Sequence, residues 1–154
     1  MPKIDSSQVQ KREGSSYPSP FDEPCSTRRV QRLGAAAGLT QFGANIVELP
    51  PGAWASQRHW HACEDEFVYV LEGQLVLVED EGETSLEAGD AAAWIAGVKN
   101  GHHLVNKSET LARFLVVGSR DDQDHGEYSD IDMVFGDHRY DGKGVYRRKD
   151  GTPY

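Results

Sequence analysis

Between residues 41 and 118 the apolar positions fall in short runs rich in β-branched and aromatic residues: "QFGANIVEL" (41–49), "EFVYVLEGQLVLVED" (66–80), "ETSLEAGDAAAWIA" (83–96), "GHHLVNKS" (101–108) and "TLARFLVVGS" (110–119). The turn formers "PPG", "EG", "EGE", "AGD" and "KNG" punctuate them. No run in this stretch carries a helical period. Strand signals roughly eight to twelve residues apart, with turns between, predict an all-β sandwich or barrel. "LEGQL" and "DEGET" read as hairpin turns in which Gly73 and Gly82 take a positive φ.

The flanks have a different texture. Residues 1–24 are polar, hold four of the seven prolines and show no period, so they predict an extended or partly ordered arm. "STRRVQRLGAAAGL" (26–39) fits either a short helical turn or a strand ending in a Gly-Ala loop. After Ser119 the chain turns acidic and loop-like, although "DIDMVF" and "GVYRRKDG" can each add an edge strand. The expected organisation is an N-terminal arm (1–40), a β-barrel core (41–118) and a C-terminal extension packed on the barrel (119–154).

Composition narrows the class. A chain of 154 residues is long enough for one domain with a proper core and too short for two comfortable ones. Its formal charge of −9 argues against a nucleic-acid partner, because phosphate backbones are bound chiefly through Lys and Arg. The acidic "RDDQDHGEYSDID" (120–132) and basic "YRRKDG" (146–151) read as solvated segments that face each other. No apolar run approaches the ~20 residues of a membrane span, and the first residues lack the apolar core of a secretory signal. A cytoplasmic protein is expected, with Cys25 and Cys63 as free thiols.

Candidate chemistry is concentrated in "RHWHACEDEF" (58–67). In a strand, alternate side chains share a face, so Gln57, His59 and His61 point one way while Arg58, Trp60 and Ala62 point the other. On a helix the two imidazoles would splay by about 200°. Glu66 opens a strand whose inward face continues through Val68 and Val70, and Glu64 and Asp65 fall in the preceding turn, facing water. Tyr69, with Phe67 and Leu71, faces an outer layer or second sheet. Downstream, "NGHHLVN" offers His102 and His103, of which alternation admits only one to an interior site. Three imidazoles and a carboxylate suit one divalent transition metal: Zn, Ni, Mn, Co or Fe.

These residues resemble the two motifs of the cupin superfamily. Gly52, His59, His61, Glu66 and Gly73 fill the first, with six residues rather than five between Gly52 and His59. Gly89, Gly97, His102 and Asn106 fill the second, with Ile95 where proline is usual and four residues rather than two between Gly97 and His102. The resemblance implies a double-stranded β-helix (jelly-roll) barrel with a metal inside. Its His-x3-Asn spacing selects His102 as fourth ligand, with His103 as the fallback. More narrowly, the chain is similar to short bacterial single-domain cupins labelled as sugar-phosphate isomerases, and the family's habit implies a homodimer.

Around the ligand set, Gln57, Trp94 and Asn106 are the substrate-pocket candidates. Gln57 shares the ligand face, Trp94 stands at a strand end where it can roof a pocket or pack in the core, and Asn106 can also tie down a turn. No cationic clamp for a phosphate is apparent, Arg113 and Lys99 being unplaced. Cupins host many reactions, so three functions stay open: a metal-dependent enzyme on a small oxygenated substrate, sugar-like or carboxylate, acting as an isomerase or, with Fe(II), as a dioxygenase; a non-catalytic small-molecule-binding module; or a barrel merely stapled by its metal.

Overall fold

A computed structural model describes residues 3–136 and 146–154. Its strands are β1 (Lys11–Glu13), β2 (Arg29–Gln31), β3 (Phe42–Leu49), β4 (Glu66–Glu72), β5 (Gln74–Glu79), β6 (Gly82–Glu87), β7 (Ala91–Trp94), β8 (His103–Val105), β9 (Ala112–Ser119), β10 (Gly126–Tyr128), β11 (Met133–Phe135) and β12 (Tyr146–Arg147). The one α-helix among the described residues, α1 (Leu33–Ala36), follows β2. The ambiguous stretch 26–39 is therefore both a strand and a helical turn. No helix among the described residues is long and apolar enough to cross a membrane.

Six strands form one antiparallel sheet in the order β1-β2-β3-β9-β4-β7, and β6-β5-β8 form a second. The inward positions of both sheets meet in one core: Val47, Leu49, Val68, Val70 and Phe114 from the larger, Leu75, Leu77, Leu86 and Leu104 from the smaller. This is an all-β jelly-roll-like sandwich. The arm is not loose. It contributes β1, and Gln31 Nε2 donates to the carbonyls of Ser6 (2.8 Å) and Val9 (2.9 Å). Past the barrel, β10-β11-β12 make a third small sheet whose Tyr128, Met133 and Phe135 pack with Tyr17 and Phe21 of the arm. "DIDMVF" and "GVYRRKDG" thus supply β11 and β12 of this separate sheet, β12 at its edge, and residues 144–145 of the latter segment lie outside the described part.

One expected hairpin is a corner. β4 pairs with β7 and β9 whereas β5 pairs with β6 and β8, so Gly73 carries the chain from one sheet to the other. Its φ is +78°, and a Cβ there would lie 2.7 Å from the Leu111 carbonyl oxygen and 2.9 Å from Ala112 Cα. Only glycine fits this conformation and this approach. "DEGET" does form the expected hairpin, with Glu79 opposite Gly82.

Candidate metal centre

The histidine stretch is extended but not a regular strand. His59 forms isolated bridges to His102 on one side and Tyr128 on the other, and the neighbouring amides donate to Glu127 (from Trp60, 3.3 Å) and His125 (from Ala62, 2.8 Å). Held between two partners, the stretch keeps the alternation of a strand without its continuous ladder. His59 and His61 converge, with their Nε2 atoms 3.1 Å apart. Arg58 turns away to Asp130 and Asp80, and Trp60 is buried beneath Lys99.

Glu66, the first residue of β4, brings its carboxylate to the pair: ligand atoms of His59, His61 and Glu66 all lie within 4.8 Å of one another. His102 meets the group at Glu66, its Nε2 2.9 Å from Oε2. Trp94 lies flat on His102, centroids 3.9 Å apart and planes 4° apart, and donates its indole N–H to Glu79 (2.9 Å). His103 turns the other way: its Nδ1 donates to Ser56 O (2.8 Å) and its ring stands edge-on to Trp54.

The second nitrogen of each converging imidazole settles its tautomer. Nδ1 of His59 faces Gln57 O (2.8 Å), Nδ1 of His102 faces Asn100 O (3.1 Å), and Nδ1 of His61 faces Asp124 Oδ2 (2.7 Å). Each partner can only accept, so each Nδ1 carries the hydrogen and each neutral imidazole presents its Nε2 lone pair to the common centre. Lone pair therefore faces lone pair between His59 and His61, and a lone pair faces a carboxylate oxygen between His102 and Glu66. A cation placed between such acceptors would satisfy both sides. Burial pushes His59 down to about 3, helped by the field of His61, so it does not supply a proton at neutral pH. Burial raises the Glu66 carboxyl, but the three imidazoles around it, His102 foremost, outweigh that and hold it at about 2, ionised. The spacing also fits: donors about 2.1 Å from an ion and at right angles lie about 3 Å from each other. The residues present fit a divalent metal.

Two buried acids stand behind this set, and strand reasoning placed neither. Asp124 is fully buried; besides His61 it accepts from the Cys63 N–H (2.9 Å). Nothing in the acidic run around it distinguishes it from its solvated neighbours. Glu64, expected to face water, is 5% exposed because the Asp121 N–H, far along the chain, caps it (2.9 Å). His61, Glu64 and Asp124 also lie within 4.8 Å of one another, but Asp124 already engages His61 Nδ1, so this trio reads as support for His61 and not as a second ion site.

The centre opens on a cavity of about 670 Å³ whose wall includes His59, His61, Glu64 and Glu66. The three expected pocket residues are elsewhere. Gln57 is buried with its amide given to Phe21 O (2.7 Å), and Asn106, fully buried, ties Leu49 O and Thr110 O (both 2.7 Å). Trp94 backs His102 and is not in the cavity wall. Instead the cavity carries Arg28, Arg32 and Arg120, the cationic groups that the sequence reading did not find; Arg113 pairs outward with Glu72 (3.4 Å) and Lys99 covers Trp60. The signal was present in "RRVQR": read as a strand, Arg28, Val30 and Arg32 share one face, and all three line the cavity.

A family profile described as the cupin domain matches residues 45–118. A solved structure from Silicibacter pomeroyi, named a sugar phosphate isomerase of the cupin superfamily, is 46% identical, with TM-score 0.94 over 99% of this chain and 96% of that one. The chain belongs to the cupin superfamily. A provisionally named sugar phosphate isomerase of Acidithiobacillus ferrooxidans shares the fold at 23% identity, with TM-score 0.80 over 96% of this cupin and 90% of that chain. The polyketide cyclase RemF of Streptomyces resistomycificus is 26% identical, with TM-score 0.62 over 79% and 80%. No curated protein matches this cupin significantly.

Proposed function

We propose that this cupin holds one divalent transition metal on His59, His61, Glu66 and His102 and acts as an isomerase on a small oxygenated, sugar-like substrate. The observation that carries the reading is the set of converging lone pairs, 3.1 Å apart at His59–His61 and 2.9 Å from carboxylate at His102–Glu66, at the wall of a ligand-sized cavity. The metal would supply Lewis acidity toward a carbonyl or enediolate. Asp124 holds His61 in its tautomer and Trp94 fixes the plane of His102. Glu66 is committed as a ligand; Glu64, buried in the same wall, is the carboxylate left to move a proton on the substrate. The Silicibacter protein's name supports the isomerase reading over decarboxylation or oxidation.

The test is deuterium uptake. Metal-loaded protein incubated with aldoses, ketoses and their phosphates in D2O is expected to exchange a carbon-bound hydrogen of one of them, and Glu64→Gln is expected to slow that exchange while retaining metal. Ligand-induced stabilisation without exchange or conversion of any of them would identify a binding module instead.

We further propose a cytoplasmic homodimer. Outward residues of the large sheet form two apolar rows, Ala44–Val117–Phe67–Ala93 and Ile46–Leu115–Tyr69–Ala91, with Phe67 and Tyr69 about 40% and 39% exposed. Covering such a face favours a second copy. Light scattering after size exclusion is expected to give twice the chain mass, and a monomer would refute it.

A further inference from the structure

We propose that Glu79 is a positioning residue for the metal centre: from outside the cavity it holds Trp94 and Asn100 against His102, and so sets how firmly that histidine serves as a ligand. The inference rests on the metal reading above and adds to it the group that aims the fourth ligand.

Glu79 stands out first by its place. Alternation along β5 puts Leu75, Leu77 and the half-buried Glu79 on one face, and the two leucines belong to the barrel core. A carboxylate at the end of a core-facing row loses hydration and needs polar partners. Its neighbours in the same hairpin are partnered by cations, Asp80 by Arg58 and Glu83 by Lys107 at 2.6 Å. Among the described residues Glu79 pairs with no lysine or arginine. Its Oε1 instead accepts from the Trp94 indole N–H (2.9 Å) and from the Asn100 side-chain amide (2.8 Å).

Both donors lead to His102. Trp94 stands opposite Glu66 in the β4–β7 ladder, and its ring lies on the imidazole, centroids 3.9 Å apart and planes 4° apart. Asn100 accepts the Nδ1 hydrogen of His102 on its main-chain carbonyl (3.1 Å). The Asn100 side chain is tied at both ends, its amide donating to Glu79 and its Oδ1 accepting from the Asp80 N–H (3.2 Å). The stack fixes the plane of the imidazole, and the carbonyl fixes its rotation within that plane. Together they aim Nε2 at Glu66 Oε2, 2.9 Å away. One carboxylate anchors both restraints.

The stack itself suits a ligand. Aromatic pairs usually keep their centroids about 4.5–7 Å apart, because the negative faces of neutral rings repel. An imidazole that shares its lone pair with a cation is electron-poor and draws the indole face closer. The indole's hydrogen bond to Glu79 acts in the same sense, since it enriches the ring. Neither Glu79 nor Asn100 lines the cavity, so their influence on the site passes through His102.

The test uses the full chain and two readouts: imidazole tautomers by long-range proton–nitrogen NMR on metal-free protein, and zinc affinity by competition with a chelator dye. In wild type His102 is expected as one tautomer, its hydrogen on Nδ1. Glu79→Ala is expected to mix the His102 tautomers while leaving the signals of His59 and His61 in place. It is also expected to weaken zinc by about 10- to 100-fold, the usual range for a lost supporting group. Glu79→Gln, which keeps the shape and a neutral acceptor, is expected to fall between Glu79→Ala and wild type. Glu83→Gln, on the same hairpin, is expected to match wild type in both readouts. Zinc affinity unchanged in both Glu79 variants, a His102 signal unchanged in both, or a disturbance shared equally by His59 and His61 would each overturn the proposal. A wild-type protein that takes up no metal would defeat the reading above, while the tautomer signal, read without metal, would still decide this one.

Discussion

His59 and His61 stand one residue apart, His102 and His103 side by side, and extended backbone sends the two pairs to opposite fates. Spacing by two puts both imidazoles of the first pair on one side, 3.1 Å apart at Nε2. Spacing by one splits the second: His102 reaches Glu66 at 2.9 Å, while His103 is buried against Trp54 and Ser56 O. Side-chain direction, not residue type, separates the histidines of the cluster from the one packed in the scaffold. The second pair also shows how the insertion after Gly97 is absorbed, since the backbone bridge between His59 and His102 fixes which histidine faces the centre.

The sharpest break of this comparison is His59→Ala with His61→Ala. Together they remove both converging lone pairs, and elemental analysis is expected to find no bound transition metal. Asp124→Asn is expected to have the next largest effect. It keeps the shape but weakens the acceptor that fixes His61, and metal affinity should fall by about 10- to 100-fold in competition with a chelator dye, the usual range for such supporting carboxylates. His103→Leu should separate the pairs from the other side: metal retained, stability lowered by about 1–3 kcal/mol in urea because the Ser56 carbonyl is left without its donor.

The smallest effect concerns Arg58, the residue that points away from the centre. Its hydrogen bond holds Asp130 below its ordinary range, so the folded pKa is the lower one. The contribution is complete above the unfolded carboxylate's pKa of about 4 and is lost as pH falls through the depressed value. Arg58→Gln should cost less than about 1 kcal/mol at pH 7, since Asp130 is largely solvated, and that difference from wild type should shrink toward pH 3 in denaturation curves.

Much of this was legible because period-two alternation is a local property. It put His59, His61 and Glu66 on one interior and Arg58 and Trp60 on the other side, and it set Phe67, Tyr69 and Leu71 outward. What lies over those three was not legible, and in the single chain they are exposed. Long-range contacts escaped as well. Glu64 is buried only because Asp121 caps it, and Asp124 differs from its acidic neighbours only in where the chain folds back to His61. Gln57 falls on the ligand face by count, yet the irregular stretch turns its amide to Phe21 of the arm. The arginines were missed because Arg28 and Arg32 sat in a segment whose strand character was undecided. Gly73 shows the same limit, since the Leu111 backbone that demands glycine there comes from a distant part of the chain.

The central claim is that His102, and not its neighbour, completes a metal centre with His59, His61 and Glu66. Elemental analysis of untagged wild type, His102→Ala and His103→Ala, each loaded in turn with Zn, Ni, Mn, Co and Fe(II), tests it most directly. One ion per chain is predicted for wild type and His103→Ala, and a loss of stoichiometric metal for His102→Ala. Wild type that takes up none of the five, or a His103→Ala protein that loses metal while His102→Ala keeps it, would contradict the account.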